Sequence, residues 1–150
     1  MRHANLEEHY WQLKSGEARH TANPQSFWIP DRAERERLRR GQAARLLFEI
    51  EGDDDGKVQR IIERMWVIVA ERVGEGYIGI LDNQPTALDP APNVYLTEGA
   101  EIPFWPEHVI DIAEPPPEWA ERRLGSPPSR RWPRDDDWRV TRAGLRSNER

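Results

Sequence analysis

The sequence contains no cysteine among its 150 residues. This absence excludes disulfides, thiolate nucleophiles and cysteine metal sites, and it is typical of proteins from a reducing compartment. Long apolar runs are also missing, since no stretch approaches the roughly 20 residues that a membrane helix requires. The N-terminus lacks the apolar segment of a secretory signal. We therefore expect a cytoplasmic protein without a membrane partner.

Catalytic signatures are scarce as well. No serine lies in a G-x-S-x-G or S-x-x-K pattern, two arrangements that mark an activated serine nucleophile. No pair of histidines has the H-x-x-x-H spacing typical of a metal site on a helix. We therefore expect no catalytic residue, no metal and no cofactor.

Three glycines, Gly74, Gly76 and Gly79, have the G-x-G-x-x-G spacing of a dinucleotide-binding loop. Such a loop leads into a helix whose N-terminal amides face the pyrophosphate. Here the residues after Gly79 are apolar and typical of a strand, and Glu75 adds a negative charge. The glycines therefore predict a hairpin turn with a positive φ and a flat place on a sheet.

Acidic and basic residues are unevenly distributed along the chain. The net charge is −5, and from Pro115 onward nine arginines face six acidic residues, or +3, which leaves −8 for residues 1–114. An acidic body disfavours nonspecific binding to nucleic acid, whereas an arginine-bearing tail can contact an acidic partner. We therefore expect a protein partner and no nucleic acid.

The strongest periodic signals predict three strands. Apolar residues alternate over 44–50, which is typical of a strand with one buried face. Residues 65–70 are apolar at successive positions and predict a central strand covered on both faces, with Trp66 in the core. The apolar residues after Gly76 predict a third strand, paired with the second as a hairpin.

The remaining pattern predicts a bent antiparallel sheet. A strand near Ile102 is followed by a single helical turn at Pro106–His108 and a closing strand at Val109–Ala113. The linkers are too short for the crossovers that a parallel sheet requires. We therefore predict an α+β fold with a small, strongly bent antiparallel sheet or SH3-like barrel.

Three segments follow from these patterns. Residues 1–30 form an N-terminal helical and aromatic segment, with Phe27, Trp28 and Ile29 pinned to the core. Asn5 is the N-cap of a predicted helix in which Leu6, Tyr10 and Leu13 share a face, and Ser15 is the N-cap of a second short helix. Residues 31–114 form the barrel-like domain, which begins with a helix capped by Asp31 and ending near Arg40. Residues 115–150 form an extended, mostly disordered tail rich in proline and arginine, with at most a short helix near 118–124.

Two groups of residues are candidates for binding. The first is the turn that contains Asp82, Asn83 and Pro85, because asparagine and proline stiffen a loop on a rigid scaffold. The second is an aromatic and proline ledge after the strand near Ile102. Its candidate binding residues are Trp105, Glu107 and His108.

Several stretches of the sequence resemble the YegJ-like family of small bacterial domains of unknown function. The shared features are the segment from Leu38 to Phe48, Met65-Trp66-Val67, Gly79-x-Leu81-x-Asn83-x-Pro85, and Gly99 through His108-Val109. The resemblance spans about residues 27–112. It implies that Trp66, Asn83, Pro85 and His108 belong to one signature, and it brings no catalytic residues. Some relatives accompany antibacterial toxin systems, which implies an immunity-type role.

The main hypothesis is a non-catalytic protein-interaction module, with an immunity protein as a special case. One alternative is a small hydrolase or nucleotide-handling enzyme that uses His108 with a nearby carboxylate. Another is a small RNA-binding barrel, in which Trp28, Trp105 or Trp132 stacks on bases. The enzyme requires His108 and an acid to converge in a pocket, and the RNA-binding barrel requires exposed aromatic rings.

Overall fold

The predicted strands form one antiparallel sheet. The structure is a computed structural model and describes residues 1–85 and 95–134. Its elements in chain order are α1 Leu6–His9, β1 Trp11–Leu13, α2 Gly16–Ala22, α3 Arg32–Glu36, β2 Ala43–Asp54, β3 Lys57–Val73, β4 Gly76–Leu81, β5 Glu101–Phe104, a 3₁₀ turn Pro106–His108, β6 Val109–Ala113 and α4 Pro117–Gly125.

Two tight hairpins organise the sheet. β2 and β3 pair along their length up to a two-residue turn, where Asp55 and Gly56 have φ values of 55° and 83°. These positive angles match the right-handed twist of the strands. β3 and β4 are joined by a second turn, in which Gly74 has a φ of 60°. The predicted hairpin role of the glycines is therefore confirmed.

The strand order gives the sheet its curvature. β2, β3, β4 and β5 are neighbours in that order, and β1 and β6 share the other edge of β2. Irregular pairing at Arg45/Leu46 and at Val69/Glu71 interrupts the ladders, and such irregularities bend a strand. The result is a strongly curled antiparallel half-barrel with short helices, which confirms the predicted α+β class.

The concave face carries the main core. Alternate residues of β2 and β3 point into it, as their pattern predicts, and so does Trp11 of β1. Gly79 lies where the strands are most tightly packed, because a Cβ atom at this position would lie 2.6 Å from Val67 Cγ2 and 3.1 Å from Phe104 Cε1. The predicted flat place at Gly79 is therefore a packing requirement of the core.

The convex face carries a smaller cluster under α4. Ile68 and Ala120 are buried there, and Trp66 packs against them while remaining half-buried. The Arg45 guanidinium lies 5.7 Å from the centre of the Trp66 ring. Trp66, which was predicted to lie in the core, thus packs on this second, smaller cluster, because it alternates along β3 with the residues that face the main core.

The N-terminal segment differs from its prediction in three places. Asn5 and Ser15 cap their helices as expected, but α1 ends at His9 because Tyr10 takes a left-handed φ of 67°. Residues 11–13 then form β1 instead of continuing the helix. Phe27 and Ile29 are half-buried, whereas Trp28 is 68% exposed and is not pinned to the core.

Helix α3 is also shorter than predicted. It ends at Glu36, so Arg39 and Arg40 lie outside it, and the side chain of Asp31 makes no capping hydrogen bond. Arg39 instead contacts Glu114, and Arg40 donates a hydrogen bond to the Ala70 carbonyl. Tertiary partners therefore end the helix earlier than its local sequence indicates.

The predicted tail is partly folded. Helix α4 lies where a short helix was expected, and residues 126–134 are extended, but Trp132 is only 4% exposed and belongs to the main core. The described part of this predicted tail therefore packs on the sheet as far as Arg134. Residues 135–150 lie outside the described part.

None of the helices in the described part of the chain is long and apolar enough to cross a membrane.

Candidate functional site

The predicted binding turn is tied to the fold by its polar side chains. The Asp82 carboxylate accepts hydrogen bonds from Trp119 Nε1 at 2.9 Å and from Arg123 Nε at 2.8 Å, both on α4. Asn83 Oδ1 accepts the backbone N–H of Trp66 at 2.7 Å. Pro85 is half-buried. Asp82 and Asn83 therefore anchor α4 and the middle of β3.

The second predicted group forms a compact turn after β5. Pro106 occupies the first turn position, where its missing N–H costs nothing. His108 donates its backbone N–H to the Trp105 carbonyl at 2.9 Å, and its Nδ1 accepts the Trp105 N–H at 3.0 Å. His108 therefore caps the turn with its own ring.

Two residues that the sequence reasoning did not select complete this group. The His3 ring stacks on Trp105 with 3.8 Å between ring centres and 10° between planes. A Cβ atom on Gly76 would lie 2.8 Å from the Trp105 ring, so only glycine leaves room for the indole at that position. We call His3, Trp105, Glu107 and His108 the histidine cluster. No local signal connects residue 3 with residue 105, because their contact is made only by the fold.

Burial determines the protonation of His108. Its side chain is only 3% exposed, and this burial, with a smaller effect of His3, lowers the pKa of His108 to about 3. The ring is therefore neutral at physiological pH. Because Nδ1 accepts a hydrogen bond, the single ring proton lies on Nε2, which is 3.3 Å from Glu107 Oε1. Nδ1 is engaged by the Trp105 N–H and Nε2 carries the ring proton, so neither nitrogen offers a free lone pair to a substrate.

The same geometry decides whether the cluster fits a metal ion. Ligand atoms of His3, Glu107 and His108 lie within 4.8 Å of one another. A metal at His108 Nε2 needs the lone pair of that nitrogen, but Nε2 carries the ring proton. The three residues therefore do not fit a metal in this arrangement.

Two open grooves flank the turn. One, of about 550 Å³, is lined by Arg32, Arg37, Arg72, Trp105 and acidic residues that include Glu107. The other, of about 680 Å³, is lined by α2, β1 and the histidine cluster residues His3, Glu107 and His108. Glu107 is exposed and lies on the rim of both grooves. Trp105 and Glu107 are thus the exposed or half-buried residues of the second predicted group that line these grooves.

No family model, curated protein or solved structure matches this chain. The resemblance to the YegJ-like family stays a prediction.

The buried histidine predicts a loss of stability in acid. The folded-state pKa lies below the ordinary value of 6.5, so between these values the unfolded chain binds a proton that the folded protein rejects. Stability is full above pH 6.5 and falls as the pH drops. We expect the free energy of unfolding to decrease by about 1.4 kcal/mol per pH unit below this value. Urea unfolding at pH 7, 6 and 5 measures the slope.

His108→Asn is the matched control for this slope. Its side-chain oxygen can accept the Trp105 N–H, but the side chain does not titrate. We expect the variant to be less stable at pH 7 and to lose less stability than the wild type between pH 7 and pH 5. Equal slopes in the two proteins would show that His108 does not contribute. Burial also lowers the pKa of His9, and that contribution is present in both proteins.

Proposed function

We propose that this protein is a cytoplasmic, non-catalytic protein-interaction module. The observation that carries the proposal is Trp28, whose large ring is 68% exposed in a chain that buries Trp11 and Trp132. Tryptophan is enriched among the few residues that supply most of the binding energy in protein interfaces. An exposed indole on a folded domain is therefore a natural contact for a partner.

The segment that carries Trp28 is held at both ends. His20 Nδ1 donates a hydrogen bond to the Phe27 carbonyl at 2.7 Å, and Arg35 Nε donates to the Pro30 carbonyl at 2.8 Å. Arg35 and Pro30 are themselves buried. A side chain presented by a fixed backbone loses less entropy on binding. This preorganisation supports a binding role for Trp28.

The two alternatives have less support. The enzyme needs His108 as a base, but Nδ1 accepts the Trp105 N–H and Nε2 carries the ring proton. The RNA-binding barrel needs a basic face of exposed aromatic rings, but Trp132 is buried and Trp105 is stacked on His3, so that only Trp28 of the three candidate rings is freely exposed. The acidic body also opposes RNA. An immunity protein remains the special case of the proposal, supported by the charge of the body and the resemblance to the YegJ-like family.

Affinity capture from the source cells tests this proposal. The full chain, Trp28→Ala and Gln25→Ala serve as parallel baits, with Gln25 as an exposed control residue on the same segment. We expect the wild type and Gln25→Ala to retain one protein in a stoichiometric amount, and Trp28→Ala to retain at most about a tenth as much, since removing a hot-spot residue costs more than 1 kcal/mol and often 2 or more.

Two results would contradict the proposal. The first is the recovery of no protein above the level of empty beads. The second is an equal recovery by all three folded baits. For the immunity-type case, the association rate should fall as salt increases, and a rate that does not change with salt would exclude steering by the acidic body.

A further inference from the structure

Strand β3 extends beyond the strand that covers its second edge. β3 pairs with β2 from Lys57 to Ile68, whereas β4 begins to pair with β3 only at Val67. Among the residues that the structure describes, 57–65 therefore have a paired strand on one side only. Such an edge presents unpaired backbone groups and is a template for another strand.

The backbone at the end of this edge shows which groups face outward. Trp66 donates its N–H to Asn83 Oδ1 and accepts the Asp82 N–H through its carbonyl, both away from β2. The N–H and C=O of one residue point to the same side of a strand, and the direction alternates along the chain. The outward groups therefore belong to the residues that alternate with Trp66, which are Val58, Arg60, Ile62 and Arg64.

These four residues also share one face of the sheet, because side chains alternate with period two. All four are exposed, including Val58 at 74% and Ile62 at 42%. The face therefore presents apolar and cationic side chains in alternation, with Arg60 also paired with Glu51 of β2 at 3.2 Å. The Arg64 guanidinium lies 5.6 Å from the centre of the Phe27 ring, so this face is next to the segment that carries Trp28.

The charge of the edge argues against a second copy of the chain as its partner. Two copies paired through this edge would bring Arg60 and Arg64 of both copies onto one narrow strip, and like charges across a strand pair are unfavourable. A strand with acidic side chains opposite the arginines meets complementary charge instead. Apolar side chains of the same strand would cover Val58 and Ile62.

We propose that residues 57–65 bind an extended acidic segment of a partner protein, which adds a strand to the free edge of β3. This inference rests on the proposed function, because it names the kind of partner that the module binds. The backbone of the edge supplies hydrogen bonds, and the alternation of apolar and cationic side chains selects a strand whose facing residues alternate between apolar and acidic.

A pair of synthetic peptides tests the edge on the full chain. The probe is a fluorescein-labelled Val-Thr-Glu-Thr-Val-Thr-Glu-Thr-Val peptide, and its control has lysine in place of both glutamates. We expect the glutamate peptide to bind about tenfold more tightly, because Arg64 and Arg60, which also pairs with Glu51 of β2, meet opposite charges in that peptide and like charges in the control. Binding should also protect the amide protons of residues 58, 60, 62 and 64 from exchange.

Ile62→Pro is the variant that separates edge pairing from folding. In the wild type the Ile62 N–H points away from β2. Proline at this position therefore removes an outward donor and leaves the hydrogen bonds to β2 intact, and edge strands tolerate such a proline. We expect a folded variant with at least about tenfold weaker peptide binding. If Ile62→Pro does not fold, the double variant Arg60→Glu/Arg64→Glu provides the test. This variant should bind the lysine peptide more tightly than the glutamate peptide, which reverses the preference of the wild type.

The outcomes distinguish a failure of the strand-addition proposal from a failure of the proposed function. No binding, equal binding of both peptides, or unchanged binding by folded Ile62→Pro would overturn the proposal. Edge amides already protected without peptide would also overturn it, since this chain or a second copy then covers the edge. If Trp28→Ala loses the captured partner and Ile62→Pro retains it, the strand-addition proposal is overturned and the proposed function still stands.

Discussion

Replacing Trp132 with alanine is expected to lower the free energy of unfolding by about 3–5 kcal/mol. The ring is buried among Trp11 and Tyr95, at ring-centre distances of 5.9 and 5.5 Å. Its Nε1 also donates to the Arg2 carbonyl at 3.0 Å. Alanine would remove these contacts and leave a cavity at a place where the C-terminal segment closes the core.

Urea unfolding followed by circular dichroism measures this effect. Trp28→Ala is the matched control, because it removes the same side chain from an exposed position and should change stability by at most about 0.5 kcal/mol. Equal losses of unfolding free energy in Trp132→Ala and Trp28→Ala would show that the segment around Trp132 does not pack on the sheet. A chain ended at residue 114 should be destabilised even more, since it lacks both α4 and Trp132.

The second large effect is expected at the buried ion pair between Glu101 and Arg134. The Glu101 side chain is 6% exposed and accepts hydrogen bonds from Arg134 at 2.6 and 3.0 Å and from the Trp132 N–H at 2.8 Å. Arg134 also pairs with Glu71. These hydrogen bonds to carboxylates raise the pKa of Arg134 above its usual value. Arg134→Met should therefore cost about 3–5 kcal/mol, because it leaves a buried carboxylate without its cation.

A double-mutant cycle separates the ion pair from general packing. Glu101→Gln keeps an acceptor for the Trp132 N–H but removes the charge, so Glu101→Gln/Arg134→Met should be more stable than Arg134→Met alone. Arg39→Met is the surface control. Its pair with Glu114 is exposed, and its loss should change stability by less than about 1 kcal/mol. Additive effects of the two core substitutions would contradict the coupling.

Local signals were sufficient for the elements that depend on neighbouring residues. Alternation over 44–50 predicted the buried face of β2, since every second side chain of a strand faces the same way. The glycine at 74 predicted a hairpin turn, and Ser15 predicted a helix start, because each acts through its own backbone or through the next turn of chain. The turn at Pro106–His108 followed from the proline in the same way.

The tertiary structure alone decided which distant residues meet. Helix α1 and strand β1 share one predicted helical pattern, and only pairing of Trp11 with Ile50 of β2 makes residues 11–13 a strand. Composition indicated disorder after residue 115, yet Trp132 finds a buried site that Trp11, Tyr95 and the Arg2 backbone build.

The candidate sites illustrate the same division between local pattern and fold. The sequence by itself determined strands β2 to β6, the turns and the charge of the body, since these depend on residue type and short spacing. The tertiary structure decided that His3 stacks on Trp105 and that the Asp82 carboxylate accepts a hydrogen bond from α4. It also decided that part of β3 is paired on one side only among the described residues. Such contacts depend on how curled strands bring remote residues together, and a local pattern holds no information about that distance.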